Sequence, residues 1–528
     1  MSDNYYPSVQ VSERLFLPTT ASTPTTTTSG AFIGKSHQGP TTPTLVTSWS
    51  GFTSLFGQTY TDLHNAVNDF FANGGRQCYV VRDAGDGAVS GELDYFDSDA
   101  SDTLGTPLFT ATVLNPGTWG NQLRIVTYER DATNYRFDVA LFRIPIGYTF
   151  DGTKRNSEYL VDQWIDVTLD PDSPRYFYAV ANAPSAAGSS IVSFAGQSYD
   201  PQDPATRPMP GPESGGGYAV TGGVDGDYTG AYDEDVAVAA ALATLDTVNG
   251  PLILNLAGTT TSTVVKSTVT TAAARGDMFV VVDTAVGLTP AAAVTYVDTD
   301  LNLSSISTAG PSFAGVYYPH VYMPAIGSTV PGRTTLRAPG GAIAGLMQST
   351  DIQAGPWKAP AGLGARLGGA IATERKLTSA ELTTLNSEHI NAIRSVPGAG
   401  IVVMGARTVK KSGLDRYVNV RRTVIEITET LKASTQFAVF ENNDERLWGR
   451  VSAVCAQYLG SVWQSGGLRG VTPGEAFYVK CDETNNTAGT IEQGAVNVEV
   501  GIAPLSPAEF VIINIGQFDG GASVAVAI

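Results

Sequence analysis

The sequence predicts a multidomain chain of mixed α/β and α+β architecture: a discontinuous α/β core, an inserted β-rich domain, a C-terminal α+β domain and extended strand arms at both termini. Three observations carry this prediction. Helical spacing followed by short, wholly apolar runs occurs before residue 88 and returns after residue 201, as in an α/β unit with a buried parallel sheet. Between these stretches the texture changes to short strands punctuated by Asp, Asn, Gly and Pro. At each end, apolar residues recur at period two with no neighbouring segment to pair with. The predicted division is an arm and linker at 1–29, a middle domain from 30–88 plus 201–349, the insertion at 89–200, a C-terminal domain at 350–519 and a second arm at 520–528.

Taken in order, Val9, Val11, Leu15 and Leu17 share one parity around Glu13, and a Thr-rich linker over 19–29 follows them. Residues 31–34 form a short apolar strand. Leu63, Ala66, Val67, Phe70 and Phe71 then fall on one helical face, with Thr61 as N-cap and Asn73-Gly74-Gly75 as the stop, before a buried strand at 78–81. In the insertion, strands are expected at 123–128, 137–142, 164–167 and 177–180. Helical spacing returns at Val236, Ala239, Ala240 and Ala243, followed by strands at 252–256 and 279–282. Thr378 and Glu381 form a capping box for a helix carrying Leu382, Leu385, His389 and Ile393, closed by Pro397-Gly398. Strands at 401–404 and 417–421, a helix at 423–437 and a longer helix at 442–464 follow. Strands at 476–481, 496–502 and 510–515 complete the domain. Beyond them, Ala522, Val524, Val526 and Ile528 alternate with Ser523, Ala525 and Ala527, set off by Gly520-Gly521. Free strands at both ends suit polymerisation by strand addition to another chain.

The chain has 528 residues, with 32 basic against 50 acidic side chains and a net charge of −18, a balance that disfavours nucleic acid or an anionic membrane as partner and favours proteins. No signal-like N-terminus or bilayer-spanning apolar run is present, so a soluble chain without membrane insertion is expected. Three cysteines fit reduced, buried thiols. Ser29 to Ser36, SGAFIGKS, nearly spells a phosphate-binding loop, but has Ser where the first Gly belongs and no apolar strand before it. Gly362 to Gly368 misses the dinucleotide fingerprint by one residue. His37, His64, His320 and His389 are far apart without a second ligand at metal spacing, and Asp225/Asp227 and Asp298/Asp300 read as turn residues. No catalytic residue, metal or cofactor is assigned, and the expected class is a non-enzymatic structural protein.

Three stretches together resemble the contractile tail sheath family of bacteriophages, pyocins and related injection systems. The first is Ala31-Phe32-Ile33-Gly34 with Gly39-Pro40, Ser48-Trp49, Phe52, Phe56-Gly57, the helix through Phe70-Phe71 and Asn73-Gly74-Gly75. The second pairs Pro116-Gly117-Thr118-Trp119-Gly120-Asn121 with Gly222-Gly223-Val224-Asp225-Gly226. The third lies in the C-terminal domain: His389-Ile390-Asn391, Gly405-Ala406-Arg407-Thr408, Tyr417-Val418-Asn419, Phe440-Glu441-Asn442-Asn443, Leu447-Trp448 and Pro507-Ala508-Glu509-Phe510. The resemblance implies a homo-oligomer of six-fold rings stacked helically around an inner tail tube, which contracts to drive that tube through a target envelope. It also implies baseplate and tail terminator partners, a place in the virion tail after assembly in the bacterial host cytoplasm, and terminal arms inserted into neighbouring C-terminal domains. On this reading Val9, Val11, Leu15, Leu17, Ala522, Val524, Val526 and Ile528 are the interchain strands. Gly520 and Gly521 form the hinge, and Asp444, Glu445, Arg446 and Arg450 offer a charged patch to the tube. Another self-assembling virion or surface-lattice subunit is the alternative.

Overall fold

The computed structural model describes residues 28–95, 107, 109–131, 136–145, 148, 159–183, 188–189, 191–196, 218–230, 232–306 and 310–509. The first segment runs through β1 (Ser29–Lys35), β2 (Thr44–Val46), α1 (Trp49–Phe56), α2 (Asp62–Ala72) and β3 (Cys78–Asp83). Ala31, Phe32 and Ile33 are almost fully buried, as a strand covered on both faces requires. The phosphate-loop-like stretch is therefore a core strand, and its Lys35 ammonium pairs with Glu234 at 2.9 Å.

The insertion follows as β4 (Glu92–Tyr95), β5 (Phe109–Val113), β6 (Leu123–Asp131), β7 (Arg136–Arg143), β8 (Leu160–Val167), the short helix α3 (Phe177–Ala181), β9 (Val192–Gly196) and β10 (Tyr218–Ala219). Two antiparallel sheets, β10-β6-β7-β8 and β4-β5-β9, share a core in which Phe177 lies 4.8 Å from Phe194 and Trp164 lies 5.2 Å from Phe194 between ring centroids. Residues 177–180, expected as a strand, form helix instead, because a short apolar run carries no period of its own. The chain enters and leaves this domain along adjacent paths: Val89 pairs with Val224 and Glu92 with Thr221. At that neck Asn121 exchanges two hydrogen bonds with Gly223 (2.8 and 2.9 Å), and the Asp225 carboxylate accepts from the amide and hydroxyl of Thr118. Buried Arg82 donates to the carbonyls of Ser36, Gly39 and Pro116, fastening the neck to the core.

The core resumes with α4 (Glu234–Thr244), β11 (Leu252–Ala257), α5 (Ser262–Arg275), β12 (Met278–Asp283), α6 (Pro290–Thr295), β13 (Ala314–Tyr318), β14 (Val321–Pro324), β15 (Thr334–Arg337), α7 (Gly340–Ala354), β16 (Ala372–Thr373), α8 (Ser379–Ser387), β17 (Ile390–Val396) and β18 (Gly400–Val403). One eight-stranded sheet, ordered β18-β17-β13-β12-β11-β1-β3-β2, unites the first segment with this one. Strands β17 to β3 are parallel, and β18 and β2 close the edges antiparallel. The sheet thus extends past residue 350 to take its last two strands from 390–403. Helix α7 lies on α2 with backbones touching: a Cβ on Gly341 would overlap the carbonyl of Ala66, and one on Gly345 that of Phe70. Arg337 pairs with Asp69 at 2.7 Å, both side chains buried.

Two expectations fail here. The stripe Val236, Ala239, Ala240 and Ala243 faces solvent, while Val238, Ala241 and Leu242 are buried, since alanine marks both faces of α4 alike. The helix opened by the Thr378/Glu381 capping box ends at Ser387. His389 then adopts a left-handed turn (φ 60°), Ile393 belongs to β17, and Pro397-Gly398 lies in the β17–β18 hairpin. Helices α5 and α7 were not read from the sequence at all. β-Branched residues in α5 and glycines in α7 weaken their helical signal.

The last lobe contains α9 (Val418–Ser434), α10 (Glu445–Gln464), β19 (Phe477–Lys480) and β20 (Glu499–Ile502). Residues 417–421, expected as a strand, open helix α9. Their alternation reflects Val418, Asn419 and Val420 all being buried, with Asn419 donating to the carbonyls of Trp357 and Leu505 at 2.9 Å.

Candidate assembly surface

The C-terminal lobe is built on two long helices, α9 and α10, and a ribbon. Asp444 caps α10 by accepting from the Leu447 amide, and Leu447, Val451, Cys455, Tyr458, Leu459 and Val462 form its buried stripe. Strands β19 and β20 pair antiparallel, Phe477 with Ile502 and Val479 with Val500, and turn these four side chains onto the helices. On the opposite face Tyr478 lies across Gly501 and donates its hydroxyl to Glu499. Among the described residues this sheet has two strands and no third along Phe477–Lys480 or Glu499–Ile502, and just past its end Leu468 bridges Pro504. A two-stranded ribbon has no interior strand and exposes backbone donors and acceptors along each side, a template for an added strand.

Side-chain contacts hold the chain at both limits of the described residues. Gln348, buried, donates to the carbonyls of Thr28 (2.6 Å) and Gln77 (3.1 Å), holding Thr28 against α7. At the other end the Glu509 carboxylate receives both Nε and a terminal nitrogen of Arg407, which also donates to the Asn386 carbonyl. This forked pair sits one residue before the C-terminal segment. The arm residues Val9, Val11, Leu15, Leu17, Ala522, Val524, Val526 and Ile528, the hinge Gly520 and Gly521, and the strand expected at 510–515 lie outside the described residues. If the Arg407–Glu509 pair aims the arm, Glu509→Ala should lower polymerisation while leaving the melting temperature of the unassembled chain within about 2 °C. The double reversal Arg407→Glu with Glu509→Arg should recover part of it, as light scattering would read. Equal polymerisation of Glu509→Ala and wild type would remove the latch.

Asp444, Glu445, Arg446 and Arg450 come together in the first turns of α10, all exposed. Their roles differ: Asp444 is committed to its cap, and the Arg450 guanidinium lies 4.8 Å over the Phe437 ring. Helix α10 begins at Glu445, three residues later than the spacing suggested. Beside the patch, Phe440 is wholly exposed with φ 66°, a left-handed conformation unusual for an aromatic residue. In the sequence Phe440 stands out only as part of the Phe440-Glu441-Asn442-Asn443 motif, since exposure has no sequence signal.

Where α7, α9 and α10 meet, Arg422 donates to Asp351, and the Thr28 hydroxyl donates to Glu426 at 3.3 Å. Burial, with the nearby Asp351 charge, pushes the Glu426 carboxyl up to about 7, and burial raises Asp351 as well. Among the described residues no group of three or more His, Cys, Asp or Glu side chains gathers as metal ligands, and no helix is long and apolar enough to cross a membrane.

The described residues form a mixed α/β body that carries a separate two-stranded ribbon packed on two helices. Residues 413–518 match the phage tail sheath C-terminal domain. The chain is similar to contractile tail sheath proteins, and its last lobe matches the model of that domain. The tail sheath protein of Vibrio phage KVP40 is 29% identical over 177 residues, 33% of this chain and 25% of that protein. That of Enterobacteria phage T4 is 28% identical over 226 residues, 42% of this chain and 32% of that protein. The matched regions thus span a quarter to a third of these relatives' length. A sheath tail protein of Listeria innocua shares the fold with a TM-score of 0.58 at 12% identity, over 87% of this chain and 89% of that one. The anti-feeding prophage sheath in its contracted state has a TM-score of 0.54 at 20% identity, over 98% of this chain and 100% of that one.

Proposed function

We propose that this protein is the subunit of a contractile tail sheath, polymerising as stacked six-fold rings around an inner tail tube and contracting to drive the tube through a target cell envelope. The observation that carries the reading is the two-stranded ribbon of the sheath-type C-terminal domain, open on both edges, in a chain whose ends carry strand-patterned arms. Each arm would extend the ribbon of a neighbour, so that every subunit is both donor and acceptor. Such a contact is heterologous and propagates as rings or helices. The tube would meet the start of α10, with Asp444, Glu445, Arg446 and Arg450 giving charge complementarity. Baseplate and tail terminator proteins would close the two ends of a virion tail assembled in the bacterial host cytoplasm.

Contraction is a rigid-body rearrangement in which strands stay paired and the linker before β1 and Gly520-Gly521 absorb the rotation. The chain needs neither cofactor nor catalytic residue for this, since the energy resides in a metastable extended lattice. Electron microscopy of the purified protein tests the reading: wild type should form hollow helical tubes or ring stacks, whereas Gly520→Pro with Gly521→Pro should fail to assemble or to contract. Flat lattices or icosahedral shells would favour a different structural subunit, persistent monomers would sink both readings, and normal contraction of the proline variant would sink the hinge.

A further inference from the structure

We propose that the cavity between α7, α9 and α10 is a binding site for a cationic side chain, a lysine or arginine presented by a second copy of this chain. The cavity measures about 300 Å³, twice the ~150 Å³ that suffices for a benzene ring in an engineered core, and its rim includes exposed Ile352. Trp357, Tyr458 and Val462 supply an apolar and aromatic wall, and Asp351 and Glu426 supply an acidic one. Cations over aromatic faces are attracted by the ring quadrupole, and a methylene stem packs on the aliphatic lining.

The charges inside are not balanced from within. Arg422 from α9 gives one terminal nitrogen, Nη2, to one oxygen of Asp351 from α7; the other oxygen, Oδ1, and the second terminal nitrogen of Arg422, Nη1, are both buried without a hydrogen-bond partner. The Asp351 side chain is only 8% exposed. Thr28 has a single hydroxyl proton, directed to Glu426. Tyr458 from α10 is the remaining titratable group on the wall. Two carboxylates therefore share one guanidinium, and a second cation completes the set. Burial first, and the neighbouring Asp351 charge second, push the Glu426 carboxyl up to about 7; a cation entering the site displaces its proton, so binding strengthens as pH rises through 7. Thr28, held by Gln348, stands next to the N-terminal segment, and on the sheath reading, in which that segment enters a neighbour, the site lies where copies meet.

The assignment of a second copy as the source rests on the sheath reading; the chemistry of the site does not. Calorimetry on the unassembled full chain with n-butylammonium as the probe, and 1-butanol as its neutral isostere, tests the chemistry. Saturable binding at least tenfold tighter for the ammonium is expected, strengthening about tenfold between pH 6 and pH 8. Glu426→Gln should weaken it at least tenfold and flatten the pH profile. Equal binding of ammonium and alcohol, no binding, or wild-type affinity in Glu426→Gln overturns the site. Saturating butylammonium should also raise the concentration needed for polymerisation at least tenfold. Unchanged polymerisation overturns the second copy as the source, and a chain that never polymerises overturns that source together with the sheath reading.

Discussion

A chain ended after Asp519 is expected to fold as the full-length protein does and to lose assembly, its critical concentration rising by roughly two orders of magnitude. Burying Val524, Val526 and Ile528 contributes about 1.5–3 kcal/mol each. About four added ladder bonds contribute ~0.5–1.5 kcal/mol each. Ordering eight arm residues costs about 1–2 kcal/mol apiece, which brings one arm close to balance. Lattice stability must then come from many simultaneous insertions, where linkage multiplies weak contacts by ~10²–10⁴. Removing one arm per subunit removes that multiplication throughout. The truncation leaves the Leu505 carbonyl on Asn419 and the Glu509 carboxylate on Arg407, so the folded lobe keeps its closing contacts. Sedimentation and light scattering would show folded, unassembled protein; tubes of normal length from the truncated chain would refute the arm's role.

Gly345→Ala should destabilise the body by about 3 kcal/mol, the upper part of the range for overpacking a rigid contact. The added methyl would meet the backbone oxygen of Phe70 in α2, which cannot rotate away as a side chain would. Helix α7 would have to lift from α2 and from the sheet, where Ala342, Ile343, Ala344 and Met347 are almost fully buried. Gly449→Ala is the control. Gly449 lies on exposed α10 with nothing near its Cβ position, and the change there should be neutral or stabilise by about 0.5–1 kcal/mol. Hydrogen exchange in β1 and β11 reads the difference region by region. Equal protection in the two variants would mean the α2–α7 contact is not close-packed.

Legibility followed the physics of each element. The parallel strands β1, β11 and β12 were readable because both faces are buried, leaving a continuous apolar run. Helix α10 was readable from its apolar stripe and α2 from its cap, whereas Ala-rich α4 hid which face it buries. The start of α9 and the end of α8 were misread because a few residues fit periods of 2 and of 3.6 equally well. Long-range pairings such as Arg337 with Asp69, and the gathering of Asp351, Arg422 and Glu426, have no local signature. Of the candidate site, the charged start of α10 was legible as a cluster. The ribbon's open edges became visible only in three dimensions, since edge and interior strands share one pattern.

The most direct measurement is a cryo-electron microscopy map of assembled tubes, traced along the edges of the ribbon formed by Phe477–Lys480 and Glu499–Ile502. Strand exchange predicts that the ribbon is widened by strands from neighbouring subunits, one continuous with residues 522–528 of an adjacent chain. Tubes in which that ribbon remains two-stranded, with each chain's ends folded back on its own body, would contradict it.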